Sequence, residues 1–135
     1  MGSLIIKENM FPEILSIYPK LTPYWHEFHE EWAEVDEKPL YLILSKLADL
    51  IVGDFKSGQK STLKCLFSLI EKFVLDGDQY VREAAIVGLL EEIQTKSQRN
   101  NVDISSMFPL MGEHTKSKWV ALQKFWDGNP HALFD

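Results

Sequence analysis

Possible metal ligands are densest at His26, Glu27, His29 and Glu30, within one short segment. In a helix, His26 lies one turn from both His29 and Glu30, so these three side chains share a face. A zinc site needs three or four convergent ligands, and the helical protease motif places two histidines four residues apart with a glutamate after the first. Here the histidines are three residues apart. We therefore expect an incidental surface cluster that binds no metal.

The only cysteine, Cys65, is the candidate thiol nucleophile. It falls between Leu63 and Leu66 in an apolar stripe, where a buried and unreactive thiol is the usual outcome. A lone cysteine forms no internal disulfide, which favours a reducing cytosol. The sequence has no G-x-S-x-G motif and no glycine-rich phosphate loop, and its paired carboxylates occupy positions expected to be exposed. It therefore predicts neither an enzyme nor a cofactor.

Acidic residues are concentrated between Tyr24 and Glu37. The chain has 14 basic and 20 acidic residues, for a net charge of −6. This stretch contains no Lys or Arg, and its six carboxylates are those of Glu27, Glu30, Glu31, Glu34, Asp36 and Glu37. The remaining 14 acidic residues balance the 14 basic ones. Such a surface repels nucleic acid and anionic membranes and attracts basic partners. It is either a solvated helix face or a partner-binding surface.

The tryptophans form two pairs with the same spacing. Trp25 and Trp32 lie in the acidic stretch, and Trp119 and Trp126 lie near the C-terminus. Seven residues make two helical turns, so each pair falls on one helix face. Core packing explains this pattern, and so does the apolar centre of an interface, where tryptophan is enriched.

Apolar residues recur with a period near 3.6 along most of the 135 residues, which predicts one all-α domain spanning 1–135. Thr22 before a proline predicts a helix capped by that threonine. The expected architecture is a compact antiparallel stack of about six or seven helices. The predicted helices cover residues 11–18, the acidic stretch from Thr22, 40–55, 61–75, 78–96, 106–111 and 115–126. A short strand is possible at 4–6, and Asp127-Gly128-Asn129-Pro130 should end the last helix.

Membrane insertion and secretion are not expected. No apolar run reaches the ~20 residues of a membrane helix. The N-terminus, with Leu4-Ile5-Ile6 followed by a lysine, has the wrong order and length for a secretory signal. We therefore expect a cytoplasmic protein that binds neither membrane nor nucleic acid.

Residues 61–97 are predicted to form an antiparallel hairpin because the connection around Gly77 is only about three residues long. Gly77 should end the first helix with a positive φ. Asp78 should cap the second helix, and Ala84, Ala85 and Gly88 are small enough for a neighbouring helix to approach closely.

The stretch from Asp78 to Ala85, with Leu89 and Leu90 after it, resembles the second helix of a HEAT repeat. In those repeats the aspartate caps the helix, the valine and alanines pack inward, and the arginine, here Arg82, bonds to neighbouring loops. The resemblance covers about one repeat, whereas a solenoid needs three or more. It implies one HEAT-like hairpin within a compact stack.

Most of the chain also resembles a family of small helical bacterial immunity proteins, including those of contact-dependent growth inhibition systems. The resemblance is carried by Phe11-Pro-Glu-Ile-Leu and Tyr18-Pro-Lys-Leu, the acidic second helix, the long helix 40–55, the hairpin 63–93 and the terminal tryptophan helix. It implies a toxin inhibitor that binds and neutralises a cognate toxin domain inside the producing cell. Such toxins are often basic nucleases, and a carboxylate-rich surface can occupy their positive cleft.

The acidic stretch with Trp25 and Trp32 is predicted to bind the toxin, and one of these tryptophans would serve as the apolar anchor. The alternative surface is the exposed end of the hairpin, formed by Asp76, Asp78, Tyr80 and Arg82, where residues near a loop are free to contact a partner. Two other functions stay open: a HEAT-type adaptor for another protein, and a metal-dependent hydrolase that uses the region of His26 and His29.

Overall fold

The chain is described here by a computed structural model, which covers residues 4–126 and the side chains up to residue 124. Within that range the α-helices are α1 (Lys7–Ile17), α2 (Thr22–Glu31), α3 (Leu40–Lys56), α4 (Lys60–Asp76), α5 (Gln79–Glu83), α6 (Glu91–Arg99) and α7 (Glu113–Trp126). Short 3₁₀ segments span Pro19–Leu21 and Ile104–Leu110, and a π-helical segment, Ala84–Leu90, joins α5 to α6. The predicted all-α class is confirmed.

A single hydrophobic core connects the helices. Helix α3 packs along the π-helical segment and α6, while α4 packs against both α1 and α7. The predicted stripe of α3 forms part of this core, since Leu44, Leu47 and Ile51 are fully buried. No helix in the described range is long and apolar enough to cross a membrane.

The start of α2 differs from the prediction. Thr22 has helical dihedral angles, φ −52° and ψ −47°, and its side chain caps nothing. The 3₁₀ turn Pro19–Leu21 runs directly into α2, so the backbone is already helical before Thr22. A capping residue needs extended backbone, which this continuous turn does not provide.

The acidic stretch is not one helix. Helix α2 ends at Glu31, and Trp32, with φ −108° and ψ 24°, has left the helical conformation. Glu34, Asp36 and Glu37 therefore lie in the connection to α3. Between Ala33 and Pro39 only Val35 is a large apolar residue, so a longer helix would gain little packing.

The HEAT-like hairpin forms as predicted, with one correction at its turn. Asp78 caps the second helix by accepting a hydrogen bond from the Val81 amide at 2.9 Å. Gly77, however, has φ −71° and ψ 150°, an ordinary extended conformation. A glycine is needed there for space, because a Cβ would lie 2.4 Å from the Phe73 carbonyl oxygen. The close approach of the Phe73 carbonyl therefore explains the need for glycine at this position, and a positive φ does not.

Several other local features differ from the prediction. Cys65 is exposed, because it points about 100° away from Leu66 around α4 and so faces solvent. The helix predicted over 78–96 continues to Arg99, and Ser97 is buried. The possible strand at residues 4–6 reduces to an isolated bridge between Ile5 and Gly77. The predicted stop at 127–130, and the side chain of Trp126, lie outside the described residues.

Helix α7 is anchored by a carboxylate from α4. Glu71 accepts hydrogen bonds from the backbone amides of Thr115 at 2.7 Å and His114 at 3.1 Å. It also binds the Thr115 hydroxyl and the His114 ring at 2.8 Å each. Gly112 leaves room for this contact, since a Cβ there would lie 2.5 Å from Glu71 Cδ. A side chain from another helix thus satisfies amides at the start of α7.

Candidate functional site

The six carboxylates of the acidic stretch are all exposed. Glu27, Glu30 and Glu31 project from α2, and Glu34, Asp36 and Glu37 follow in the connection to α3. Within the described part of the chain, ion pairs join other residues, and none involves these six. The charge that makes the chain acidic is therefore not neutralised by internal salt bridges.

A groove runs between α2 and the first turns of α3, with a volume of about 290 Å³. It is lined by Tyr24, Glu27, Phe28, Glu31, Trp32, Leu42, Ile43 and Lys46. Glu27 and Glu31 are one helical turn apart and so stand on the same side of α2. Phe28 is buried, whereas Leu42 is 54% exposed. The groove thus combines an apolar surface with two carboxylates.

A cation already lies at this groove. The Lys46 ammonium is 4.4 Å from the centre of the Tyr24 ring, within the range of a cation–π interaction. It forms no salt bridge with Glu27 or Glu31. The groove therefore stabilises a positive group on an aromatic face and leaves both carboxylates available.

The two tryptophans of the acidic stretch have different surroundings. Trp32 lines the groove. Trp25 stacks on Phe11 of α1, with ring centres 4.7 Å apart, and the His29 ring lies 4.2 Å from it. Both tryptophans are partly buried against the core. Because α2 ends between them, the seven-residue spacing does not make them one continuous face.

The histidine cluster shows no metal-binding arrangement. His26 is exposed, and His29 Nδ1 lies 3.0 Å from the Trp25 carbonyl oxygen, within its own helix. Among the described residues, no three or more His, Cys, Asp or Glu side chains converge to hold a metal ion.

At the hairpin end, most of the predicted binding residues have internal contacts. The Asp78 carboxylate caps α5, and the Asp76 carbonyl accepts from the Ile5 amide at 2.9 Å. The Lys7 ammonium lies 5.1 Å from the centre of the partly buried Tyr80 ring. Arg82 is exposed and forms no hydrogen bond or ion pair with described side chains, so the loop contact expected from the HEAT resemblance is absent there.

The first turn of α3 connects the two predicted surfaces. Leu42 faces the groove, while the Tyr41 ring lies 3.4 Å from the position of a Cβ on Gly88, across the π-helical segment. Burial raises the pKa of Tyr41, and the negative charge of Glu83 adds to this effect. Burial likewise raises the pKa of Tyr80, with Tyr41 contributing. The first turn of α3 thus contacts the groove through Leu42 and the π-helical segment through Tyr41.

Asp54 is a buried carboxylate that was not among the predicted site residues. It is only 5% exposed and binds both the Tyr18 hydroxyl and the Lys20 ammonium. Burial and then the hydrogen bond to Asp54 raise the pKa of Tyr18. An aspartate within the apolar stripe of α3 was the available signal. The contacts fasten the turn before α2 to the end of α3, which is a structural role.

Comparison with known proteins gives one match. A family model described as "Domain of unknown function (DUF7674)" matches residues 11–127, a range that includes the groove and the hairpin end. No curated protein and no solved structure matches the chain.

Proposed function

The chain belongs to the DUF7674 family of domains of unknown function, and we propose that it is an immunity protein, which binds and neutralises a cognate toxin domain. The observation that supports this proposal is the exposed acidic stretch. Its six carboxylates carry the whole net charge and form no internal salt bridges among the described residues. Leaving like charges together costs stability through mutual repulsion, so a function in recognition accounts for them.

The proposed target is a basic toxin domain, with a nuclease as the best fit. A nuclease must attract phosphate, and its active-site cleft is therefore positively charged. A row of exposed carboxylates beside a partly apolar groove complements such a cleft in both charge and chemistry. Complementary charge accelerates encounter, while buried contacts set the lifetime of the complex. Inhibition then requires only binding, without catalysis or a cofactor.

The proposed site of action is the cytoplasm of the bacterial cell that makes the toxin. The exposed Cys65 is compatible with a reducing compartment, where a free thiol persists. The protein would bind the toxin domain there before the toxin leaves the cell. A toxin gene directly upstream of this gene would provide the candidate partner.

Copurification with that toxin domain tests the function. A catalytically inactive toxin domain, coexpressed with this chain, should elute with it as a stoichiometric complex. The active domain should lose its nuclease activity in proportion to the amount of chain added. A complex without inhibition would favour the adaptor function, and the absence of a complex would refute the proposal for that toxin.

A further inference from the structure

We propose that the groove between α2 and α3 holds an arginine side chain of the partner. The inference deepens the proposed function and rests on it for the partner's identity, because it states what a basic partner places on the acidic surface. The choice of arginine is based on the residues that line the groove. The guanidinium would lie between Glu27 and Glu31, and the aliphatic stem would lie on Leu42.

The two carboxylates suit a guanidinium. Glu27 and Glu31 are related by one helical turn, which places their Cβ atoms about 6 Å apart on one face. A guanidinium has five N–H donors in a fixed plane and can bind two carboxylates at once. Neither glutamate has an ion-pair partner in the described range, so neither must give up a salt bridge to bind.

The apolar part of the groove suits the arginine stem. Arginine packs its methylene groups on apolar surface while its charged end stays near water. Leu42 lines the groove and is 54% exposed, so it offers such a surface. Trp32 at the groove provides an aromatic face on which a planar guanidinium can stack.

Lys46 already places a cation at this groove. Its ammonium lies 4.4 Å from the Tyr24 ring centre, and Glu27 and Glu31 line the same groove. The groove still has a net negative charge, since two carboxylates face one ammonium. An incoming arginine would neutralise it, although Lys46 would repel the arginine to a smaller extent.

The test uses N-acetyl-arginine amide as the probe and NMR as the readout, with no toxin present. Titration should give saturable shifts of the Leu42 methyl groups and the Trp32 indole, with a dissociation constant in the millimolar range. N-acetyl-citrulline amide has the same shape without the charge, and it should bind at least about 10-fold more weakly because charge-assisted hydrogen bonds are lost.

Two variants are expected to change arginine amide binding in opposite directions. Glu27→Gln with Glu31→Gln should weaken arginine amide binding at least about 10-fold. Lys46→Met should strengthen it about 3-fold, because a competing positive charge is removed. The control, Glu8→Gln with Glu13→Gln, removes the same charge from α1 and should change binding less than about 2-fold.

The outcomes separate this inference from the proposed function. Equal binding of arginine and citrulline amides, or an unchanged affinity in the Glu27/Glu31 variant, would overturn the arginine site. So would weaker binding in Lys46→Met with its fold intact. An arginine site without toxin binding would leave the groove assigned and refute the immunity function for that toxin. Toxin binding unaffected by the Glu27/Glu31 change would preserve the function and overturn the site.

Discussion

The contact between Glu71 and the start of α7 predicts a stability that depends on pH. Burial acts to raise the pKa of Glu71, but hydrogen bonds from Thr115 and His114 together outweigh it and lower the pKa from 4.5 to about 2. A tenfold change in acid strength is worth about 1.4 kcal/mol, so the full shift corresponds to at most about 3 kcal/mol. Solvent screening of this partly exposed group reduces the expected contribution to about 1–2 kcal/mol.

Because the pKa of Glu71 is lowered in the folded state, its contribution to stability decreases as the pH falls. The folded state holds Glu71 ionised more strongly than the unfolded state does, so the contribution is complete above about pH 4.5 and is lost as the pH falls towards 2. Glu71→Gln keeps the shape of the side chain and removes its charge. At pH 7 this variant should unfold with about 1–2 kcal/mol less free energy than the original chain.

Urea unfolding at pH 7 and at pH 2.5 measures this difference. The gap between the original chain and Glu71→Gln should shrink at the lower pH, whereas Glu13→Gln on α1, an exposed carboxylate, should match the original at both. A gap that stays constant with pH would refute the electrostatic explanation. No gap at pH 7 would refute the anchoring role itself.

Three other experiments probe the turn at Gly77, the exposure of Cys65 and the histidine cluster. Gly77→Ala should lower the unfolding free energy by about 1–3 kcal/mol, measured in urea, because a Cβ meets the Phe73 carbonyl at 2.4 Å; an unchanged stability would contradict the close approach. Cys65 should react with a thiol reagent in the native chain at nearly the rate of the unfolded chain, since it is exposed; strong protection would contradict its placement. His26→Ala with His29→Ala should leave toxin neutralisation unchanged, with or without a chelator. Loss on chelation and recovery with zinc would instead reveal a metal site.

The fold could be predicted where packing follows local periodicity. The stripes of α3 and α4 and the cap at Asp78 all depend on residues within a few turns, and the structure contains them. The end of α2 could not be predicted from local periodicity, because the charge pattern does not show where a helix loses contact with the core. Gly77 was correctly predicted to lie at the turn, but the predicted positive φ was wrong. Glycine is needed there because atoms of two helices, at Phe73 and Val81, leave no room for a Cβ.

The candidate site was partly predictable. Glu27, Glu31 and Trp32 were identified from composition and spacing, but Leu42 was not, because an exposed leucine in an apolar stripe looks like a core residue. The groove depends on how α2 lies against α3, which no single segment specifies. Glu71 was missed for the same reason, as its partners are 43 and 44 residues away in sequence.

In the proposed function, the acidic stretch guides the chain to a basic toxin. Opposite charges accelerate association at low salt, and this effect is screened beyond about 8 Å at physiological ionic strength. The carboxylates of Glu30, Glu34 and Glu37 are exposed and unpaired within the described range, so reversing them to lysine should preserve the fold. Changes at Asp76 and Tyr80 provide the comparison at the hairpin end.

Association rates with the cognate toxin domain, at low and at physiological salt, measure this steering. We predict that Glu30→Lys, Glu34→Lys and Glu37→Lys together slow association at least about 10-fold at low salt, with a smaller effect at physiological salt. Asp76→Asn with Tyr80→Phe should associate at nearly the original rate. Association of the charge-reversed chain at the original rate, together with a large loss of binding in the hairpin variant, would contradict the account and assign the inhibitory surface to the hairpin end.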